Sequence, residues 1–147
     1  MTEIIQKFVL YMKEVRRTSE NTVLSYERDL KKMCQYLSEQ GIQSVGQITG
    51  TSLNAYILFL ESQGRKPSTI SRNIASMKAF FQYLQREGYV KQNIAGDLKA
   101  PRVERKAPAA LSEEETMRLL GQAAGDSPKE LRDRAMMELL YATGIQV

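Results

Sequence analysis

Residues 67–88, PSTISRNIASMKAFFQYLQREG, contain the pattern on which the fold prediction rests. Their apolar side chains recur every three or four residues, which is the spacing of one face of an α-helix. Pro67 suits the first position of a helix, and Gly88 suits the left-handed residue that follows a last turn. The stretch therefore predicts an amphipathic helix from about Pro67 to Glu87. The predicted core face consists of Ile70, Ile74, Met77, Phe80, Phe81 and Leu84.

The same helical spacing continues on both sides of this stretch. It predicts further helices at about 2–15, 19–40, 50–63, 111–124 and 128–142, and a short helix at 93–98. The predicted core face of the helix at 19–40 is Val23, Tyr26, Leu30, Met33, Cys34 and Leu37, and that of the helix at 128–142 is Ala135, Met136, Leu139 and Leu140. No alternation of apolar and polar residues bounded by hairpin turns is present, so no strand is predicted. The predicted fold class is all-α.

The composition limits the function classes. The chain has 147 residues, of which 42% are hydrophobic and 26% charged, as in a globular domain with room for part of a second. One cysteine and no histidine argue against a disulfide framework and a zinc site, and they remove the commonest general base. No apolar run approaches the roughly 18 residues of a membrane span. We therefore expect a cytoplasmic protein that uses no membrane, metal or cofactor.

Positive charge is concentrated in the middle of the chain. Residues 65–106 contain ten Lys and Arg against three Asp and Glu, whereas residues 107–147 contain four against seven. Within the basic part, residues 99–110, KAPRVERKAPAA, combine prolines and charge with almost no core-forming side chains. This composition predicts a basic interdomain linker. The linker separates a first domain at 1–98 from a second unit at 111–147.

The outer faces of two predicted helices are candidate DNA surfaces. On the helix at 19–40, the face opposite the core carries Ser25, Arg28 and Lys32. On the helix at 67–87, the opposite face carries Ser71, Arg72, Ala75, Ser76, Ala79, Gln82 and Arg86. Small residues let a helix approach a groove closely, and arginine donates charge-assisted hydrogen bonds to phosphates and base edges. Basic outer faces are also ordinary on solvated helices, so this pattern alone leaves both interpretations open. If the face binds DNA, charge reversal at Arg72 is expected to weaken binding and leave the fold intact.

Three stretches together resemble the tyrosine recombinase (phage integrase) family, and within it the Xer-type recombinases. They are NTVLSYERDLKKMCQYL at 21–37, STISRNIASMKAFFQYLQREGYVKQNIAGDLKAPR at 68–102, and the stretch from LSEEE at 111 to LLYATG at 144. The resemblance implies a compact, SAM-like core-binding domain of four to five helices at 1–98. The basic linker and two helices of a truncated catalytic domain would follow it.

The resemblance also implies site residues. In the family, two helices of the core-binding domain cross the major groove of double-stranded DNA, on which further recombinase protomers assemble into a tetramer. The DNA-binding positions carried over to this chain are Thr22, Ser25, Arg28, Lys32, Ser68, Thr69, Ser71, Arg72, Ser76, Lys78, Arg102, Arg105 and Lys106. The last three belong to the basic linker.

The family's reaction implies what this chain does by itself. A tyrosine cleaves one DNA strand while arginines hold the phosphate, without metal or cofactor. Gln146 occupies the position of the first catalytic arginine, and no catalytic residue of the family is matched in the chain. We therefore expect the DNA-binding portion of a site-specific recombinase that is inactive alone. DNA integration, or chromosome dimer resolution as the Xer likeness implies, is the expected process.

Three alternatives stay open. The gene continues past Val147 and the full protein is an active recombinase, or the chain is a short DNA-binding protein that acts as an inhibitor. The third alternative is a helical protein-interaction module without a nucleic-acid partner. In the 147-residue chain by itself, residues 111–147 are expected to be partly disordered or loosely docked, because their apolar faces lack the rest of their domain.

Overall fold

A computed structural model describes residues 1–102 and 109–145 of the chain. The described residues form six α-helices and one short 3₁₀ helix, and none of them lies in a strand. The helices are α1 (Thr2–Glu14), α2 (Glu20–Glu39), α3 (Gly50–Ser62), α4 (Pro67–Arg86), α5 (Glu113–Leu120) and α6 (Pro128–Thr143), with the 3₁₀ helix at Val45–Gln47. The prediction of an all-α fold is confirmed. No helix in these ranges is both long and apolar enough to cross a membrane.

In the first of two compact units, Met1–Glu104, helices α1 to α4 pack around one hydrophobic core. The predicted core face of α4 is buried throughout, with Phe80, Phe81 and Leu84 fully enclosed. The ring centre of Phe80 lies 5.3 Å from that of Phe8 and 5.8 Å from that of Phe81, both in edge-to-face geometry. The predicted core face of α2 is buried as well, apart from Tyr26, which is partly buried. The apolar spacing in residues 67–88 thus builds the centre of this unit.

Local sequence signals set the helix ends. Pro67 occupies the first turn of α4, and Gly88 follows the end of that helix with a φ of 76°. Gly41, just after α2, has a φ of 81°. Both glycines therefore lie in the left-handed region, where a side chain would be strained. At the start of α3, the Thr49 side chain accepts a hydrogen bond from the Ser52 N–H at 3.2 Å, which satisfies one of the free donors of the first turn.

Two short segments of the first unit differ from the prediction. Residues 93–98 form turns instead of a helix, because the Asn93 side chain accepts a hydrogen bond from the Ala95 N–H at 3.1 Å and competes with helical bonding. The turns still reach the core, since Ala95 and Leu98 are buried. The 3₁₀ helix at Val45–Gln47 has no counterpart among the predicted elements, because three residues are too few to show a helical period.

The second unit, Arg105–Val147, contains α5 and α6. A capping box starts α5, with Ser112 and Glu115 bonded reciprocally. The helix ends at Leu120 and not at Ala124, because a glycine follows and glycine is a poor helix former.

Most apolar side chains of α5 and α6 are exposed, and Leu120 and Met137 are partly buried. No residue of either helix is buried in the described structure. The predicted core contacts of α6 are therefore absent, and its supposed core residues Ala135, Met136, Leu139 and Leu140 are all exposed. The physical reason is that two short helices cannot enclose a core by themselves.

Hydrogen exchange should differ strongly between the two units. The amides of α4 are expected to exchange slowly, because nine residues of that helix are buried, and those of α5 and α6 quickly, because no core covers them. Native-state exchange read by mass spectrometry compares the two sets of peptides. Protection across residues 111–142 as strong as that of α4 would overturn this expectation.

Candidate nucleic-acid interface

A charged pair joins the two helices that carry the predicted DNA surface. The Asp29 side chain on α2 is 3% exposed, and that of Arg72 on α4 is 47% exposed. Arg72 donates two hydrogen bonds to this carboxylate, from Nε to Oδ2 at 2.8 Å and from Nη2 to Oδ1 at 3.0 Å. These bonds raise the pKa of Arg72. The guanidinium is therefore held in one orientation, with one edge on Asp29 and the other side open to solvent.

A polar network lies beside this pair and reaches α3. The Tyr56 hydroxyl donates to Asn73 Oδ1 at 3.3 Å, and Asn73 Nδ2 donates to the Thr69 carbonyl at 3.0 Å. Burial raises the pKa of Tyr56, so the phenol stays protonated and keeps its role as donor. Together, the pair and the network fix α2, α3 and α4 beneath the predicted DNA surface.

Ser76 does not lie on the outer face of α4, which corrects the prediction for this residue. It is completely buried, and its Oγ donates to the Asn73 carbonyl at 2.8 Å. Helical spacing places Ser76 close to Arg72, but the core extends far enough around α4 to enclose both Ser76 and Tyr83. Ser76 therefore cannot touch DNA while α4 is packed in this way.

The other predicted positions on the two helices lie at or near the surface. Arg28, Lys32, Ser68 and Arg72 are exposed, and Thr22, Ser25, Thr69, Ser71 and Lys78 are partly buried. The Ser71 hydroxyl is enclosed and has no hydrogen-bond partner among the described residues. Of the remaining assignments, Arg102 is exposed, whereas Arg105, Lys106 and Gln146 lie outside the described residues. The contacts of all these residues with DNA stay predictions.

An exposed stripe runs along α4, and we call it the α4 stripe. It consists of Arg72, Ala75, Ala79, Gln82 and Arg86, all exposed except the partly buried Ala79. At 100° per residue these positions fall within an arc of about 80°. The helix contains no Asp or Glu. The α4 stripe therefore offers arginine and amide donors separated by small side chains, with no carboxylate of its own helix to repel phosphate.

A cleft of about 280 Å³ opens between α2, α3 and the start of α4. It brings the predicted residues Lys32 and Thr69 together with Arg65, which the sequence did not single out. Asp29 and Glu39 also line it. The cleft therefore carries mixed charge, and Arg72 at the start of the α4 stripe is part of its lining.

The polar residues that hold the helices together beneath this surface, Asp29 and Asn73, were not predicted. Asp29 precedes Leu30 at the edge of the core face of α2, and Asn73 lies at the edge of the core face of α4. A carboxylate and an amide at the borders of two apolar faces are the signal that could have indicated a buried polar contact. Their partners could not be read from that signal, because Asp29 and Arg72 are far apart in sequence.

Comparison with known proteins reveals relatives over almost the whole chain. Residues 5–88 match the model of the family described as phage integrase, N-terminal SAM-like domain. The chain is 38% identical over 144 residues to the tyrosine recombinase XerD of Halalkalibacterium halodurans, covering 97% of this chain and 48% of the relative. It is 34% identical over 143 residues to XerC of the same organism, covering 97% and 47%. With XerD of Listeria monocytogenes the identity is 30% over 148 residues, covering 100% and 50%.

The matched residues 5–88 coincide with the four-helix core of the first unit, α1 to α4, which is thus a SAM-like domain. The chain belongs to the phage integrase family of tyrosine recombinases, and its relatives there are Xer recombinases. The predicted family is confirmed. The chain spans about half the length of the curated relatives it matches.

The Asp29–Arg72 pair changes what charge reversal at Arg72 should do. Arg72→Glu would place a second carboxylate against a buried one, so we expect it to lower the free energy of unfolding by about 2–3 kcal/mol. This is less than for a fully enclosed pair, because the Arg72 side chain is 47% exposed. Urea denaturation measures the change.

Arg28→Glu is the matched control for this variant. Arg28 is exposed on α2 and forms no salt bridge among the described residues, so its reversal should change stability by less than about 0.5 kcal/mol. Equal stability of the two variants would show that the pair does not hold α2 to α4.

Proposed function

We propose that this chain is the DNA-binding portion of a site-specific tyrosine recombinase, and that the outer faces of α2 and α4 contact duplex DNA. The observation that carries the proposal is the α4 stripe, which is exposed, basic and free of carboxylates. Its setting supports the proposal, because the relatives of this domain are recombinases and must bind DNA to act on it.

The arrangement of the α4 stripe suits a helix that enters a groove. Ala75 and Ala79 place short side chains in the middle of the stripe, so the backbone of α4 can approach base edges. Arg72 is fixed by Asp29 on one edge of its guanidinium, which leaves the other N–H donors for phosphate or guanine. A guanidinium that is already oriented loses less side-chain entropy when it binds.

On α2, the exposed cations supply the sequence-independent part of the affinity. Arg28 and Lys32 are exposed, and Lys32 opens onto the cleft beside Thr69. Lysine and arginine that neutralise phosphates release condensed counterions, which makes binding strong at low salt and weak at high salt. Thr22 and Ser25 would add hydrogen bonds from hydroxyl groups to the same backbone.

We further propose the role of the complete protein. Strand cleavage and rejoining by a tyrosine, with other protomers in a tetramer on DNA, would serve integration or chromosome dimer resolution. The relatives XerC and XerD support this reading. A DNA partner and a free, buried Cys34 agree with a reducing cytoplasm.

We divide the chain into a DNA-binding domain at 1–98, a basic linker at 99–110 and the start of a catalytic domain at 111–147. The linker's Arg102, Arg105 and Lys106 would follow the phosphate backbone. By itself the chain is expected to bind DNA without cutting it, because glutamine stands where the family resemblance places the first catalytic arginine.

Fluorescence anisotropy with a labelled duplex of about 30 base pairs tests the proposal. The logarithm of the association constant should fall linearly with the logarithm of the salt concentration, by about 0.9 for each phosphate contact. Lys32→Ala should weaken binding and reduce this slope by about 0.9, because it removes one contact.

Lys31→Ala is the matched control on the same helix. Lys31 faces the side of α2 where its Nζ lies 2.8 Å from Glu27, so its loss should leave the affinity for DNA nearly unchanged. Binding that does not respond to salt, or equal effects of the two lysine variants, would contradict the proposed surface. Salt-insensitive binding to a protein partner would instead favour the interaction-module alternative.

A further inference from the structure

A concave basic region lies between the C-terminal ends of α1 and α4, at the opposite end of the α4 stripe from Arg72. Its volume is about 400 Å³, and its lining includes Arg16, Gln82 and Arg86. No carboxylate among the described residues lines it. We call it the Arg16–Arg86 hollow.

The guanidinium of Arg86 is positioned by its neighbours. Its Nη1 donates to the Tyr11 hydroxyl at 2.9 Å, and its Cζ lies 5.1 Å from the centre of the Tyr11 ring. Tyr11 packs in turn on Tyr83, with ring centres 5.1 Å apart. The Glu87 carboxylate approaches Arg86 Nε only to 3.7 Å, and the Arg86 side chain stays 59% exposed. Arg86 is therefore oriented but still accessible to an anion.

Arg16 reaches the hollow from the turn between α1 and α2. At Arg17 the backbone has a φ of 48°, in the left-handed region that residues with a side chain rarely adopt. The Thr18 N–H bonds the Met12 carbonyl at 3.1 Å, which folds this turn back onto the end of α1. Arg16 forms no salt bridge within the described parts of the chain, so no carboxylate there is bonded to its guanidinium.

We propose that the Arg16–Arg86 hollow binds a phosphodiester of the DNA backbone; this inference rests on the proposed function. Two arginines and the Gln82 amide supply hydrogen-bond donors and positive charge, which is the chemistry that phosphate oxygens require. The cleft at the other end of α4 is lined by the carboxylates Asp29 and Glu39 as well as by cations, whereas none of the described residues that line the hollow is acidic.

The length of α4 supports the assignment to DNA over a free phosphate. Arg72 and Arg86 are fourteen positions apart on the α4 stripe, which is about 21 Å along the helix axis. The major groove is about 12 Å wide. A helix that crosses this groove therefore brings its two ends to the two phosphate backbones. Arg86 and Arg16 would meet one strand while the residues around Arg72 meet the other.

The test measures binding of the 147-residue chain to a duplex of about 30 base pairs as a function of salt. Arg16→Ala removes a side chain that makes no ion pair in the described structure, so the fold should be preserved. It should weaken binding about tenfold and reduce the salt slope by about 0.9. Arg86→Ala should do the same, and Tyr11→Phe, which keeps the ring but frees Arg86, should give a smaller loss. Thermal melting by circular dichroism checks that each variant is folded.

Lys13→Ala is the matched control, because it removes one positive charge three residues before Arg16, from α1, and Lys13 does not line the hollow. Lys13 lies near Glu27, whose pKa is lowered mainly by the Lys31 hydrogen bond and to a smaller extent by the charge of Lys13. The inference is supported if this control binds like the wild type while Arg16→Ala does not.

The remaining outcomes overturn the inference in different ways. If Arg16→Ala and Arg86→Ala keep the wild-type affinity and slope while Lys32→Ala is weakened, the hollow is not a phosphate site and the proposed function stands. If Lys13→Ala loses as much as Arg16→Ala, the effect is one of net charge and not of this site. If the wild-type chain does not bind the duplex, the hollow and the proposed function fall together.

Discussion

The buried carboxylate of Asp29 is the constraint on which the arrangement of this surface depends. A charged group at 3% exposure is costly unless it is paired, and Arg72 pairs it with two hydrogen bonds from α4. Because the Asp29 carboxylate must be paired, its contact with Arg72 fixes the position of α4 against α2 at one point along their length. The neighbouring bond from Tyr56 to Asn73 adds α3 to the same arrangement. Apolar packing brings the helices together, but these directional contacts set which residues of α4 face outward.

What faces outward follows from that placement. The α4 stripe has an arginine held by a carboxylate at its start and an arginine held by a tyrosine at its end. Both guanidinium groups are oriented by contacts within the domain, and small side chains separate them. The domain therefore presents a rigid pattern of donors on a helix that has no acidic residue. In a domain of the integrase family, such a pattern is well suited to double-stranded DNA.

Periodicity in the sequence was sufficient to predict α1 to α4 and the apolar residues of the core faces of α2 and α4, but not the short segments at 45–47 and 93–98. Spacing alone placed Phe80, Phe81 and Leu84 in the core, because apolar burial is a property that each helix shows by itself. The Asp29–Arg72 pair could not be predicted in this way, since it depends on how two helices meet. Ser76 was misplaced for the same reason: a helical wheel shows the angle of a residue, but not how far neighbouring helices extend around it. The helices α5 and α6 were predicted from the same spacing, but the exposure of most of their apolar side chains depends on what packs against them, which spacing does not show.

The most direct test of the central claim is a nitrogen–proton NMR titration of the chain with duplex DNA. The Nε–H signals of Arg72 and Arg86 and the amide signals of Ala75 and Ala79 are expected to shift together as DNA is added. Signals of buried α4 residues such as Phe81 should shift much less. Shifts confined to α5 and α6, or no shifts along α4 while binding occurs, would contradict the claim that this helix faces the DNA.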